Sequence, residues 1–169
     1  VEGLPGRTPR GGGTPPGGGQ PPSYAGGGEA LRQGSARARG GVGLVDVEFA
    51  YIHPAGKVFD HMLGIYDDKL ITGLKRLTDS VHQGGAKIII QIAHGGRRVH
   101  SDITGSTPVA PSPIPRLNGE TPKELSVEEI EELIQAFILA ARRAKEAGFD
   151  GVMIHMAHAY LIQQFLSPF

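Results

Sequence analysis

Apolar positions in this chain cluster downstream of Gly41, alternating between short continuous runs and helically spaced stretches. "GVGLVDVEFAYI" is a β-branched run opened by glycines and reads as a buried strand. "DDKLITGLKRLTDSVHQGG" spaces Leu70, Leu74, Leu77 and Val81 at helical intervals and ends on two glycines, which predicts a helix. "AKIIIQIAH" is too continuous in isoleucine for a half-exposed strand and predicts a second buried one. In "SVEEIEELIQAFILAARRAKEAGF", Ser126 and Glu129 form a capping box and Gly148 stands where a C-terminal cap belongs. Its expected buried stripe is Ile130, Leu133, Ile134, Phe137 and Ala141. "DGVMIHMA" is the third strand.

The order strand, helix, strand, loop, helix, strand is the repeat of a parallel α/β sheet. An open doubly wound sheet and a (β/α)8 barrel both fit it. The G-x-G-x-x-G turn of a dinucleotide-binding fold is missing, since "GGVG" precedes a strand instead of following one, and the barrel is favoured. The segment "VHSDITGSTPVAPSPIPRLNGETPKEL" is a long excursion, and loops of that length in compact domains are usually functional or disordered.

Residues 1–36 differ in kind. The first forty residues hold half of the chain's 26 glycines and almost no branched or aromatic residues. Such a segment cannot bury enough surface to fold alone, and residues 1–36 are expected to be a disordered or artefactual leader ahead of a folded region at 37–169. Only "EALRQGSARAR" looks helical there. Over the whole chain 17 Lys and Arg balance 17 Asp and Glu, so no global field favours nucleic acid or an anionic membrane. No run approaches the ~18 apolar residues of a membrane span. Cysteine is absent, which removes disulfides and Cys-ligated metals from this segment and favours a cytoplasmic location.

In parallel α/β folds, chemistry gathers where strands end. The second strand ends in Gln91 and His94, followed by Gly95, Gly96 and Arg97; the third ends in His155, His158 and Tyr160. Alternation places Gln91 and His155 on inward-facing positions at one mouth. On pattern alone, a strand glutamine more often satisfies backbone groups than grips a ligand, and the histidines are as readily structural as functional. A metal centre is disfavoured, because His155 and His158 have no carboxylate beside them and zinc needs a third protein ligand. A metal-dependent hydrolase using His94, His155 and His158 is the form such a site would take.

The stretches "LGIYDDKLITGLKRLTDSVHQGGAK", "KIIIQIAHGGR", "PVAPSPI" and "TPKELSVEEIEELIQAFILAARRAKEAGFDGVMIHMAHAYLIQQFLSP", in that order, closely resemble the old yellow enzyme family of flavin-dependent ene-reductases. The likeness runs from about Arg37 to Phe169. It implies a (β/α)8 TIM barrel of which this chain holds roughly strands two to four, FMN bound at the C-terminal mouth, and NADH or NADPH as electron donor. It also implies a small activated alkene as substrate, no nucleic-acid or membrane partner, and a parent free to be homo-oligomeric. By resemblance Gln91 meets the flavin's pyrimidine edge, His155 and His158 bind the substrate's carbonyl, carboxylate or nitro oxygen, and Tyr160 donates the proton. Phe49 falls near the position where a small residue often lies under the flavin.

The chain departs from the family pattern at Ala159, commonly glycine, and at Met156, usually small. The opening S/A-P-M-T/C turn is replaced by the Gly/Pro-rich leader, and the N-R-x-D-x-Y-G-G stretch, the flavin-contacting arginine and the late phosphate-holding strands are missing. The competing expectation is therefore a non-catalytic truncated fragment with open strand edges.

Overall fold

The computed structural model describes residues 28–168. In chain order the elements are helix α1 (Gly28–Arg39), strand β1 (Leu44–Tyr51), helix α2 (Ile71–Gln83), strand β2 (Lys87–Ala93), the single turn α3 (Ser101–Thr104), the two-residue strands β3 (Val109–Ala110) and β4 (Lys123–Glu124), helix α4 (Val127–Glu146), strand β5 (Gly151–Ile154) and helix α5 (Leu161–Leu166). β1, β2 and β5 form a parallel sheet in that order, with Ile90 of β2 opposite both Val47 and Val152. The α/β class and the parallel pairing expected from the sequence are both present.

Side-chain alternation divides the sheet into two unlike faces. Val45, Val47, Ile88, Ile90 and Ile92 are buried in one core with Leu74, Leu77 and Val81 of α2 and Ala140 and Ala144 of α4. Burying each branched side chain here contributes roughly 1.5–3 kcal/mol before entropy is counted. Asp46, Glu48, Ile89, Gln91 and Met153 alternate to the opposite face, where they are exposed or half-exposed. Polar and charged positions thus sit on the side away from the helices.

Local signals account for the helix ends. Ser126 Oγ accepts the Glu129 amide and the Glu129 carboxylate accepts the Ser126 amide, completing the capping box of α4. At its other end Gly148 has φ of +87°, with Phe149 N–H donating to Ala144 O and Gly148 N–H to Lys145 O, the paired bonds of a Schellman motif. Asp150, just beyond, accepts from Lys87, His82 and the Ile88 amide, which ties the start of β5 to β2 and holds its carboxyl below the usual range.

Two expectations need correction. The helix read in "EALRQGSARAR" is present as α1, but the leader boundary drawn at residue 36 falls inside it: Gly34 and Ala38 are buried there, and a Cβ on Gly34 would come within 3.0 Å of Val81. A helix can be glycine-poor inside a glycine-rich average, and this one is held by close packing on α2. The remainder of the leader, residues 1–27, lies outside the described residues. In α4 the buried residues are Leu133, Ala140 and Ala144; Ile130 and Phe137 are partly buried, and Ile134 is 51% exposed. The small alanines Ala140 and Ala144 take the fully buried positions, and Ile134 instead lines an apolar groove with Leu161, Ile162 and Phe165. Among the described residues no helix is long and apolar enough to cross a membrane.

Candidate active site at the strand ends

β1 carries a bulge: Val47 pairs with Ile90 and Ala50 with Ile92, so Glu48 and Phe49 together oppose Gln91. Bulges re-aim side chains, and this one brings the Phe49 ring against the loop that follows β5. Phe49 stands edge-on to His155, with ring centres 5.6 Å apart, and to Tyr160 at 5.5 Å. His155 and Tyr160 lie 4.5 Å apart, and His155 and His158 5.2 Å. Four of the sequence-derived candidates are therefore one cluster.

His155 continues the β5 ladder, its amide donating to Ile92 O at 3.0 Å. The residue is 7% exposed, and Nδ1 accepts the Ala157 amide at 3.2 Å. An accepting Nδ1 requires the neutral ring's hydrogen on Nε2, an assignment made from the hydrogen-bond network. That Nε2 lies 3.3 Å from His158 Nδ1, so the pair forms one relay ending at the exposed His158 ring. Burial, and then the neighbouring His158, lower the pKa of His155 and keep it neutral at physiological pH.

Tyr160 is 5% exposed and opens helix α5. Burial raises the pKa of its phenol, opposed by Arg98, whose guanidinium carbon stands 5.9 Å from the ring centre. The phenol stays protonated through the neutral range. Arg98 was not among the sequence candidates; its signal is the second arginine of "GGRR", directly after a strand end.

Gln91 lies on the open face one strand away, its amide donating to Met153 Sδ at 3.1 Å. A thioether is a weak acceptor, so this carboxamide keeps most of its hydrogen-bonding capacity for a better partner. A planar heterocycle edge that offers both carbonyls and an N–H, as a flavin's pyrimidine ring does, suits it.

His94 is placed differently. It is 1% exposed, its Nδ1 accepts the Gly96 amide at 3.1 Å, and its Nε2 is buried without a partner. A Cβ on Gly56 would meet its ring at 2.5 Å, so the loop after β1 needs glycine there. Among the described residues no three His, Asp, Glu or Cys groups come together to hold a metal.

A parallel α/β unit with its polar residues gathered at the strand ends defines the class of protein. The chain belongs to the NADH:flavin oxidoreductase / NADH oxidase family, whose sequence profile matches residues 28–169. That match begins upstream of Arg37 and takes in helix α1. The chain is 52% identical over 136 residues to an NADH oxidase of Thermoanaerobacter brockii, covering 79% of this chain and 21% of that one. It is 50% identical over 134 residues to an NADPH dehydrogenase of Geobacillus thermodenitrificans, covering 79% of this chain and 38% of that one. The fold superposes on the old yellow enzyme homologue from Zymomonas mobilis with a TM-score of 0.77 and 31% identity, covering 86% of this chain and 44% of that one. The family is one of FMN-dependent NAD(P)H oxidoreductases, and the chain spans less than half the length of each of these relatives.

Proposed function

We propose that the complete protein is an FMN-dependent NAD(P)H oxidoreductase that reduces activated C=C bonds of enones, enoates or related small molecules. In this reading β1, β2 and β5 are strands two to four of a (β/α)8 barrel, and the open sheet face is its interior. The convergence of His155, His158 and Tyr160 beside Phe49 carries the reading.

FMN would supply the hydride transfer, from NAD(P)H to the alkene's β-carbon. Gln91 would hold the cofactor's pyrimidine edge, and Phe49 would wall the site beneath it. As the hydride arrives, negative charge gathers on the substrate's carbonyl oxygen. His155 Nε2–H would turn from His158 Nδ1 to that oxygen, beside a ring N–H of His158, and donors already placed where charge develops stabilise it without reorganisation. Tyr160 then gives its proton to the α-carbon, so that hydride and proton together saturate the bond, and the phenolate recovers a proton from solvent. A raised phenol pKa suits a group that must arrive protonated.

The test is anaerobic mixing of the FMN-loaded, NADPH-reduced full-length protein with cyclohexenone. Flavin reoxidation with formation of cyclohexanone supports the reading. A reduced flavin that persists with every enone and enoate tried, yet reoxidises with oxygen, would leave a plain NADH oxidase instead.

A further inference from the structure

The loop that carries the three site residues is strained and bound from both sides. His158 and Ala159 each have φ of +56°, the left-handed region that side chains with a Cβ rarely adopt. Two such residues in succession persist only where their surroundings over-determine them. The surroundings here are two consecutive glutamines on α5. Ala159 N–H donates to Gln163 Oε1 at 2.5 Å, and Ala159 O accepts from Gln164 Nε2 at 2.6 Å.

Gln164 does more than close its own turn. It is 5% exposed, its Oε1 accepts the Arg97 amide at 3.2 Å, and its Nε2 also reaches Gly95 O at 3.4 Å. Gly96 has φ of +58°, and a Cβ there would lie 2.5 Å from Gln164 Oε1, so the carboxamide fills the space that this glycine leaves. Leu161 N–H donating to His94 O at 3.0 Å adds a backbone tie beside it. One buried amide, with both ends satisfied, thus joins the loop after β2 to the loop after β5. Burying a carboxamide costs free energy unless it is fully paired, and an apolar side chain would fill the same volume without needing partners.

The geometry points to Gln164, supported by Gln163, as a positioning residue that locks the His158–Tyr160 turn against the Gly95–Arg97 loop and thereby fixes where His158 and Tyr160 aim. This rests on the proposed function, because the aim matters only if those residues meet a substrate. Gln164 touches neither substrate nor cofactor in this account; it acts through the turn.

The experiment compares wild type, Q164M, Q164E and Q163A in the full-length FMN-loaded protein, with stopped-flow rates for flavin reduction by NADPH and for reoxidation by cyclohexenone. Amide hydrogen exchange is followed in the flavin-free protein. Q164M is expected to slow reoxidation by about ten- to a hundred-fold, the scale of a small misplacement at a reacting centre, while flavin reduction changes by less than about two-fold. Exchange should quicken at Arg97 in Q164M and at Ala159 in Q163A. Q164E keeps an acceptor for Arg97 N–H but loses the donor to Ala159 O, so it should protect Arg97 and still slow reoxidation. Unchanged exchange in Q164M would overturn the clamp. Faster exchange with an unchanged reoxidation rate, or equal losses in both half-reactions, would overturn the positioning role. A wild-type protein that reduces no alkene would instead sink the proposed function, and the exchange pattern alone would then decide whether the clamp exists.

Discussion

His155 Nε2 stands 3.3 Å from His158 Nδ1, while His155 Nδ1 is occupied by the Ala157 amide. The two imidazoles therefore share a single proton path, and a substrate oxygen entering beside them meets donors that already depend on each other. Groups acting as a unit give non-additive losses. His155→Ala or His158→Ala in the full-length enzyme is expected to slow alkene reduction by about 10²-fold, as loss of one oxyanion donor commonly does. The double variant should lose clearly less than the product of the two. The check is kcat/KM for an enone in all four proteins, with flavin reduction by NADPH as the control.

Ala159 occupies a left-handed conformation, φ +56°, that glycine adopts without a steric penalty. Ala159→Gly removes a strain of about 1–2 kcal/mol and adds back part of it through the freer unfolded chain. A net gain of up to about 1 kcal/mol is expected, read as a higher midpoint in urea unfolding at unchanged slope. A loss of stability would mean that Ala159 is not held in this conformation.

His94 links folding to pH. Burial lowers its pKa from 6.5 to about 3, so the folded protein keeps it neutral while the unfolded chain binds a proton below pH 6.5. The unfolded state then carries more protons, and stability falls as pH drops from about 6.5 towards 3. At pH 4.5 the loss is on the order of 2–3 kcal/mol from this residue. Lowered carboxyls such as Asp150 act only further down, once the pH nears the ordinary aspartate value of 3.8. His53 and His155, also lowered by burial, add to the fall in the same window, so His94→Asn should make the stability profile shallower between pH 6.5 and 4.5 without flattening it, measured by urea unfolding at several pH values. A variant whose profile stays as steep as wild type would place the titration elsewhere.

Much of the scaffold was legible because its signals are local. The isoleucine run of β2, the Ser126–Glu129 capping box and the cap at Gly148 each depend on a few neighbouring residues, and each formed as read. Helix α1 was half-hidden because a composition average over the first forty residues swamps one short helical stretch inside it. The side of α4 that is buried was misjudged at Ile134, since periodicity gives a helix a face but not the neighbour that covers it. At the candidate site, the place of His155, His158 and Tyr160 beyond a strand end was readable from pattern, while the roles proposed for them come only from the family resemblance. Phe49 joins them through a bulge, and Gln164 through hydrogen bonds to Arg97 and Gly95, far away in the chain. Such contacts leave no periodic trace; the one local hint is that the glutamines stand four and five residues after Ala159, within reach back over the helix start.

The central claim is that Tyr160 supplies the proton to the substrate. Its most direct test is Tyr160→Phe in the full-length FMN-loaded protein, with the two half-reactions timed separately by stopped flow. Loss of a general acid should slow reoxidation by cyclohexenone by about 10²-fold or more, with flavin reduction by NADPH within about two-fold of wild type. Reoxidation as fast as wild type would contradict the account.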